Sequence, residues 1–175
     1  MALNLSGAFT ALVTPFRSDG SLDLDALARL VEWQIESGIS GLVPCGSTGE
    51  SATLTPEEHI RVVRHVVEVA SGRVPVVAGT GSNSTREAIE LTAAARSAGA
   101  DGALLISPYY NKPTQEGIYQ HYRMVALEGG LPIVLYNIPG RTASRIESAT
   151  TARLSRVPGV AGLKECGGDF AATAE

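Results

Sequence analysis

Six short apolar runs recur along this chain at intervals of about 30 residues, the length of one strand–helix–strand unit. They read "TALVTP", "LVPCG", "PVVAGT", "ALLISP", "PIVLYNIP" and "VAGLKE", and begin near residues 10, 42, 75, 103, 132 and 160. None alternates cleanly between apolar and polar, which suits parallel strands buried on both faces. The stretches between them carry helical spacing instead. In "LDLDALARLVEWQIESG" the residues Leu24, Leu27, Val31 and Ile35 fall on one stripe. Thr55, Pro56 and Glu58 in "TPEE" predict a capped helix start, and "STRE" at 84–87 repeats the same box. Gly38, Gly72, Gly99 and Gly129 stand where helices should stop.

Strict alternation of strand and helix leaves two architectures, an open doubly wound sheet or a TIM (β/α)8 barrel. The best candidate for a dinucleotide fingerprint is "GTGSNS", which lacks the third glycine and follows the third strand rather than the first. That counts against dinucleotide binding. With 44% hydrophobic residues, 18% charged residues and a net charge of −4, the composition is that of a globular protein without the basic footprint of a nucleic-acid binder. No apolar run approaches the roughly 18 residues of a membrane span. The start, "MALNLSGAF", lacks the basic and long apolar regions of a secretion signal. Cys45 and Cys166 form neither a disulfide framework nor a metal-ligand spacing; both read as small buried thiols in a reduced, cytoplasmic protein. His65 and His121 read as structural or exposed helix residues, and Trp33 as helix packing. No feature calls for a metal or a dissociable cofactor.

In a barrel, chemistry gathers where strands end. Here those ends read "TP", "GSTGES", "GTGSN", "SPYYNKP", "YNIPGRT" and "KECGG". Each has a bland reading: a Gly-rich turn, an amphipathic Tyr136 at a strand end, Arg141 as a surface charge, "PYYN" as a packing turn. Together they predict one functional rim. The chain has 14 basic residues, of which only Lys112 and Lys164 are lysines. Lys164 ends an apolar run, where its neighbour Glu165 offers a simple ion pair. Yet a desolvated lysine can also lose its proton and attack a ketone, which an arginine cannot. An imine formed on it would act as an electron sink. Tyr136 is suited to shuttle the proton, and "GSTGE" offers hydroxyls and amides at a helix start for a carboxylate.

The blocks "GSTGESATL", "GTGSNST", "SPYYNKPTQEG", "YNIPGRT" and "GLKE", in this order and spacing, resemble the dihydrodipicolinate synthase (4-hydroxy-tetrahydrodipicolinate synthase) family. The likeness runs through essentially the whole chain. It implies a (β/α)8 barrel and a class I lyase that condenses pyruvate with L-aspartate 4-semialdehyde on the diaminopimelate route to lysine. It implies Lys164 as the Schiff-base lysine and Tyr136 as the proton shuttle. Ser47, where most members have Thr, would complete a hydroxyl relay with Tyr136 and Tyr110, and Tyr110 would reach the neighbouring subunit of a homo-oligomer, a dimer or tetramer. Thr48 and the backbone around it, Gly46 included, would clamp the pyruvate carboxylate, and Arg141 would receive that of the semialdehyde. Ser51, Ala52, His59, Asn83, Glu87 and Tyr109 match a feedback site for L-lysine, although Pro56 stands where some inhibited members carry His.

Sister enzymes such as N-acetylneuraminate lyase share "GSTGE", the "YN" strand end and the lysine; "GRT" and "PYYNKP" favour the synthase. Only six strands are countable, with a sixth helix starting at "DFAATAE". The reading is therefore one domain over residues 1–175, the N-terminal part of a barrel without its last two βα units and C-terminal helices. Such a fragment is expected to be inactive alone.

Overall fold

The structure, a computed structural model, describes residues 3–168 and Ala171. The predicted sixth helix falls almost wholly outside the described residues. Six strands alternate with helices: β1 (Phe9–Ala11), α1 (Leu24–Glu36), β2 (Gly41–Val43), α2 (Pro56–Ala70), β3 (Val77–Gly79), α3 (Thr85–Ser97), β4 (Gly102–Ile106), α4 (Gln115–Glu128), β5 (Ile133–Asn137), α5 (Pro139–Thr142), α6 (Ser148–Leu154) and β6 (Val160–Glu165). This is the α/β series of a (β/α)8 fold, with the strands where the apolar runs predict them. The chain divides into two compact units. One runs to Gly79 and takes back Ala94–Ala103; the other holds Thr80–Ala93 and the chain from Leu104 onward.

In the first unit, β1 and β2 pair in parallel with Thr10 beside Leu42. A parallel bridge from Leu42 to Val76 brings in β3, and the Gly79 N–H donates to the Pro44 carbonyl at 2.9 Å. Helices α1 and α2 bury Leu27, Val31, Val62, Val63 and Val66. Each such side chain contributes about 1.5–3 kcal/mol relative to exposure. The caps form as the sequence predicts at α2: the Thr55 hydroxyl accepts from the Glu58 N–H, and the Glu58 carboxylate accepts from the Thr55 N–H. Trp33, predicted to pack, is 60% exposed on α1. Leu27 and Val31 of the same helix are buried and it is not.

In the second unit, β5 and β6 pair in parallel after a shift between Ile133 and Val134. The end of β4 joins β5 through the Ser107 N–H, which donates to the Tyr136 carbonyl at 3.0 Å. Helix α4 buries Ile118, His121, Tyr122 and Val125, and the Tyr122 hydroxyl donates to the Leu105 carbonyl at 3.1 Å. On the outer face Arg153 of α6 stacks 4.0 Å from the Tyr119 ring and pairs with Glu116 at 2.8 Å. The predicted stop at Gly129 is met, with a different backbone from the usual one. Gly129 does follow α4, but with φ −72; the left-handed turn belongs to Gly130 at φ +75. Gly129 is instead a close-approach position, since a Cβ there would stand 2.6 Å from Cγ2 of Thr92.

Candidate active site

The parallel register of β5 and β6 sets Tyr136 beside Lys164 and Asn137 beside Glu165. Successive strand residues point to opposite faces, so Tyr136 and Lys164 share one face while Asn137 and Glu165 share the other. The Lys164 Nζ lies 4.3 Å from the centre of the Tyr136 ring. Tyr136 is buried and Lys164 is half-buried. The simple ion pair between Lys164 and Glu165 is not formed. The Glu165 carboxylate instead accepts from the Asn137 Nδ2 at 2.7 Å and from the Gly167 N–H. Among the described residues Lys164 thus faces an aromatic ring rather than a carboxylate.

Arg141 sits on α5, a single helical turn opened by Pro139. It is exposed, and its guanidinium has no partner among the described residues. Tyr110 is 88% exposed and holds φ +72, a left-handed backbone that a bulky residue adopts only under constraint. The constraint is visible: its N–H donates to the Thr142 carbonyl at 3.3 Å. Ser144 fastens the same two segments, with its hydroxyl donating to the Pro108 carbonyl at 2.8 Å and lying 3.0 Å from the Ser107 hydroxyl. The loop carrying Tyr110 and the turn carrying Arg141 are therefore one hydrogen-bonded assembly. Sequence reasoning passed over Thr142, Ser144 and Asn137. Their signal was position alone, as short polar residues flanking strand ends.

The first unit holds Gly46, Ser47 and Thr48 in a tight turn. The amides of Gly49 and Ser51 donate to the Gly46 carbonyl, and that of Glu50 donates to the Ser47 carbonyl. Here the expected helix start is corrected. Glu50 is left-handed at φ 57 and leads into a lone 3₁₀ turn, Ser51–Thr53; the α-helix begins only at Pro56. Ser47 and Thr48 are exposed, and their own amides take no part in the turn bonds. The turn is braced from below. The Thr14 hydroxyl donates to the Gly49 carbonyl at 2.7 Å, and a Cβ at Gly79 would stand 2.1 Å from the Cys45 carbonyl oxygen.

The residues matched to a lysine site divide between the units. Ser51, Ala52 and His59 belong to the first, and Asn83, Glu87 and Tyr109 to the second. His59 is buried, with Nε2 2.7 Å from the Gly79 carbonyl. The Asn83 Nδ2 donates to the Tyr109 carbonyl at 3.2 Å. The Glu87 carboxylate accepts from the Ser82 hydroxyl, while the Glu87 N–H reaches the Ser84 hydroxyl only at 3.4 Å.

Burial removes three other groups from acid–base work. It pushes the Cys45 thiol up to about 12, so no thiolate forms there near neutrality. It drives the Tyr122 phenol above its ordinary range, leaving that hydroxyl a fixed donor. It lowers His121 to about 4. Cys166, read from the sequence as buried, is exposed just beyond the end of β6. No group of three or more potential metal-ligating side chains occurs among the described residues, and none of their helices is long and apolar enough to cross a membrane.

The model of the Dihydrodipicolinate synthetase family matches residues 4–175. A 4-hydroxy-tetrahydrodipicolinate synthase of Nitratidesulfovibrio vulgaris (strain Miyazaki F) is 58% identical over 99% of this chain, which spans 59% of that relative's length. The crystal structure of the chloride-inhibited dihydrodipicolinate synthase of Acinetobacter baumannii, complexed with pyruvate, superposes with a TM-score of 0.95. It is 50% identical, over 97% of this chain and 58% of its own. The enzyme of Cyanidioschyzon merolae with lysine bound is 42% identical, with a TM-score of 0.93 over 96% of this chain and 58% of its own.

Proposed function

Since the chain belongs to the dihydrodipicolinate synthetase family, we propose that it carries the Schiff-base machinery of a 4-hydroxy-tetrahydrodipicolinate synthase, condensing pyruvate with L-aspartate 4-semialdehyde. The observation that supports this reading is the Lys164 amine 4.3 Å over the Tyr136 ring, with no ion pair to a carboxylate among the described residues. Unprotonated, that amine adds to the pyruvate ketone carbon. Loss of water gives the imine, and removal of a methyl proton gives the enamine. The enamine carbon then forms the new bond to the aldehyde carbon. The Tyr136 phenol is suited to carry the protons of these steps. Thr48 and the Gly46 backbone hold the pyruvate carboxylate, Ser47 and Tyr110 extend the hydroxyl relay, and Arg141 receives the carboxylate of the semialdehyde. Its guanidinium, without a partner among the described residues, suits a bidentate charge-assisted contact. We place the reaction in the cytoplasm, where the free Cys45 and Cys166 thiols stay reduced.

The test is reduction with borohydride in the presence of pyruvate, followed by peptide mapping. Label is expected on Lys164 and not on Lys112, and Lys164→Arg should carry none, because guanidinium stays protonated. Label on Lys112 alone, or on neither lysine in a full-length active form, would overturn the reading. The acting form is proposed as a homo-oligomer, supported by the exposed, backbone-constrained Tyr110 ring. Regulation by lysine is proposed on the likeness to the lysine-bound relative. In that proposal Glu87 takes the ligand's ammonium group, and Asn83 and Tyr109 its carboxylate. Calorimetry with L-lysine should show binding that Glu87→Ala weakens; no heat at millimolar ligand would remove it.

A further inference from the structure

Asn137 is 3% exposed and spends its whole side chain on two segments at once. Its Oδ1 accepts from the Ile146 N–H at 3.0 Å, while its Nδ2 donates to Oε2 of Glu165 at 2.7 Å and approaches the Ile146 carbonyl at 3.5 Å. Its backbone carbonyl accepts from the Cys166 N–H at 2.8 Å. Glu165 completes the circuit by accepting from the Gly167 N–H through its other oxygen, Oε1. A Cβ at Gly167 would lie 2.6 Å from that oxygen, so a larger residue there would make the Glu165 carboxylate shift. These bonds lie one residue beyond the Tyr136–Lys164 pair and on the opposite face of the strands.

We infer that Asn137 and Glu165 are positioning residues, a clamp that locks the end of β6 to the end of β5 and thereby holds the Lys164 amine over the Tyr136 ring. Neither side chain shares the face of Lys164, so the clamp acts through the backbone of β6. Leu163 of β6 is 37% exposed, whereas β5 is buried throughout. The amide–carboxylate bond is charge-assisted and sits where one shift of register would replace the residue beside Tyr136. The inference rests on the Schiff-base reading for its purpose and on the hydrogen bonds for its existence.

The geometry permits a reciprocal swap. Asn137→Asp alone sets carboxylate against carboxylate. Glu165→Gln alone makes one amide group choose between Asn137 and the Gly167 N–H. Together, Asp at 137 accepts from Ile146 and from the new amide, whose oxygen accepts from Gly167, so the circuit closes again. All four chains are compared, with circular dichroism confirming the fold, in two measurements. One is the rate of borohydride-trapped pyruvate imine on Lys164. The other is amide exchange at Cys166 and Gly167 together with acetylation of Lys164 relative to Lys112 by acetic anhydride, which needs no pyruvate. Each single variant should trap imine about tenfold more slowly or worse, the scale of a small misplacement of a reacting group. Each should also exchange those amides faster and alter the acetylation ratio, and the swap should bring every readout back near the parent. Singles that behave as the parent, or a folded swap as impaired as the singles, would overturn the clamp. So would single variants that move the trapping rate in opposite directions, since that pattern follows charge and not position. If a full-length active parent traps no imine, the Schiff-base reading fails, and the exchange and acetylation data still decide the clamp by the same criteria.

Discussion

His121 shows how a single buried side chain ties this fold to pH. Its Nδ1 lies 2.9 Å from the Thr85 hydroxyl, its Nε2 has no partner among the described residues, and its ring meets Tyr122 edge-on. Burial therefore favours the neutral imidazole and lowers its pKa from 6.5 to about 4. The sign follows directly. The unfolded chain binds the proton first as pH falls through 6.5, so stability is full above that value, declines between 6.5 and about 4, and levels off below. The loss across that window is about 3 kcal/mol at most. Denaturant unfolding at pH 7 and pH 4.5 should show this difference, and His121→Leu should reduce it. Lys164 and Glu165 teach a second lesson at this scale. Adjacent in sequence and opposite in charge, they read as a pair, but strand geometry sends them to opposite faces. Residue types were legible; partners one strand away were not, because Asn137 and Glu165 meet only through a register set by the shift at Ile133–Val134.

Among the elements, α2 and the turn before it make contrasting predictions. Removing the Thr55 hydroxyl leaves the Glu58 N–H without its cap, so Thr55→Ala should cost about 1 kcal/mol in chemical denaturation. Gly79→Ala should cost more, toward the upper end of the ~1–3 kcal/mol typical of overpacking, because the new Cβ meets the rigid Cys45 carbonyl. A Gly79 variant as stable as the parent would show that the Gly46–Gly49 turn can shift without penalty. The helices and their caps were readable from periodicity and from "TPEE". The turn was misread as a helix start because Glu50 takes a left-handed backbone, a conformation that its residue type does not signal. The same limit explains Gly129. A glycine after a helix predicts a left-handed stop, whereas here Thr92, far away in sequence, requires its missing Cβ.

For the molecule as a whole, the repeat of about 30 residues carried the α/β architecture, since only strand–helix units bury such runs at that interval. The strand ends then carried the candidate site. Exposure was the least legible property, as the outward positions of Cys166 and Trp33 show. The position of Trp33 has a spectroscopic consequence. It is the chain's one tryptophan, and it stands 60% exposed in the folded protein. Its emission maximum should already lie close to that of indole in water. Acrylamide should quench it almost as well before unfolding as after. Fluorescence traces of denaturation will therefore change little while circular dichroism reports full loss of structure, and the tryptophan signal will report on the outer surface of α1 rather than on the core.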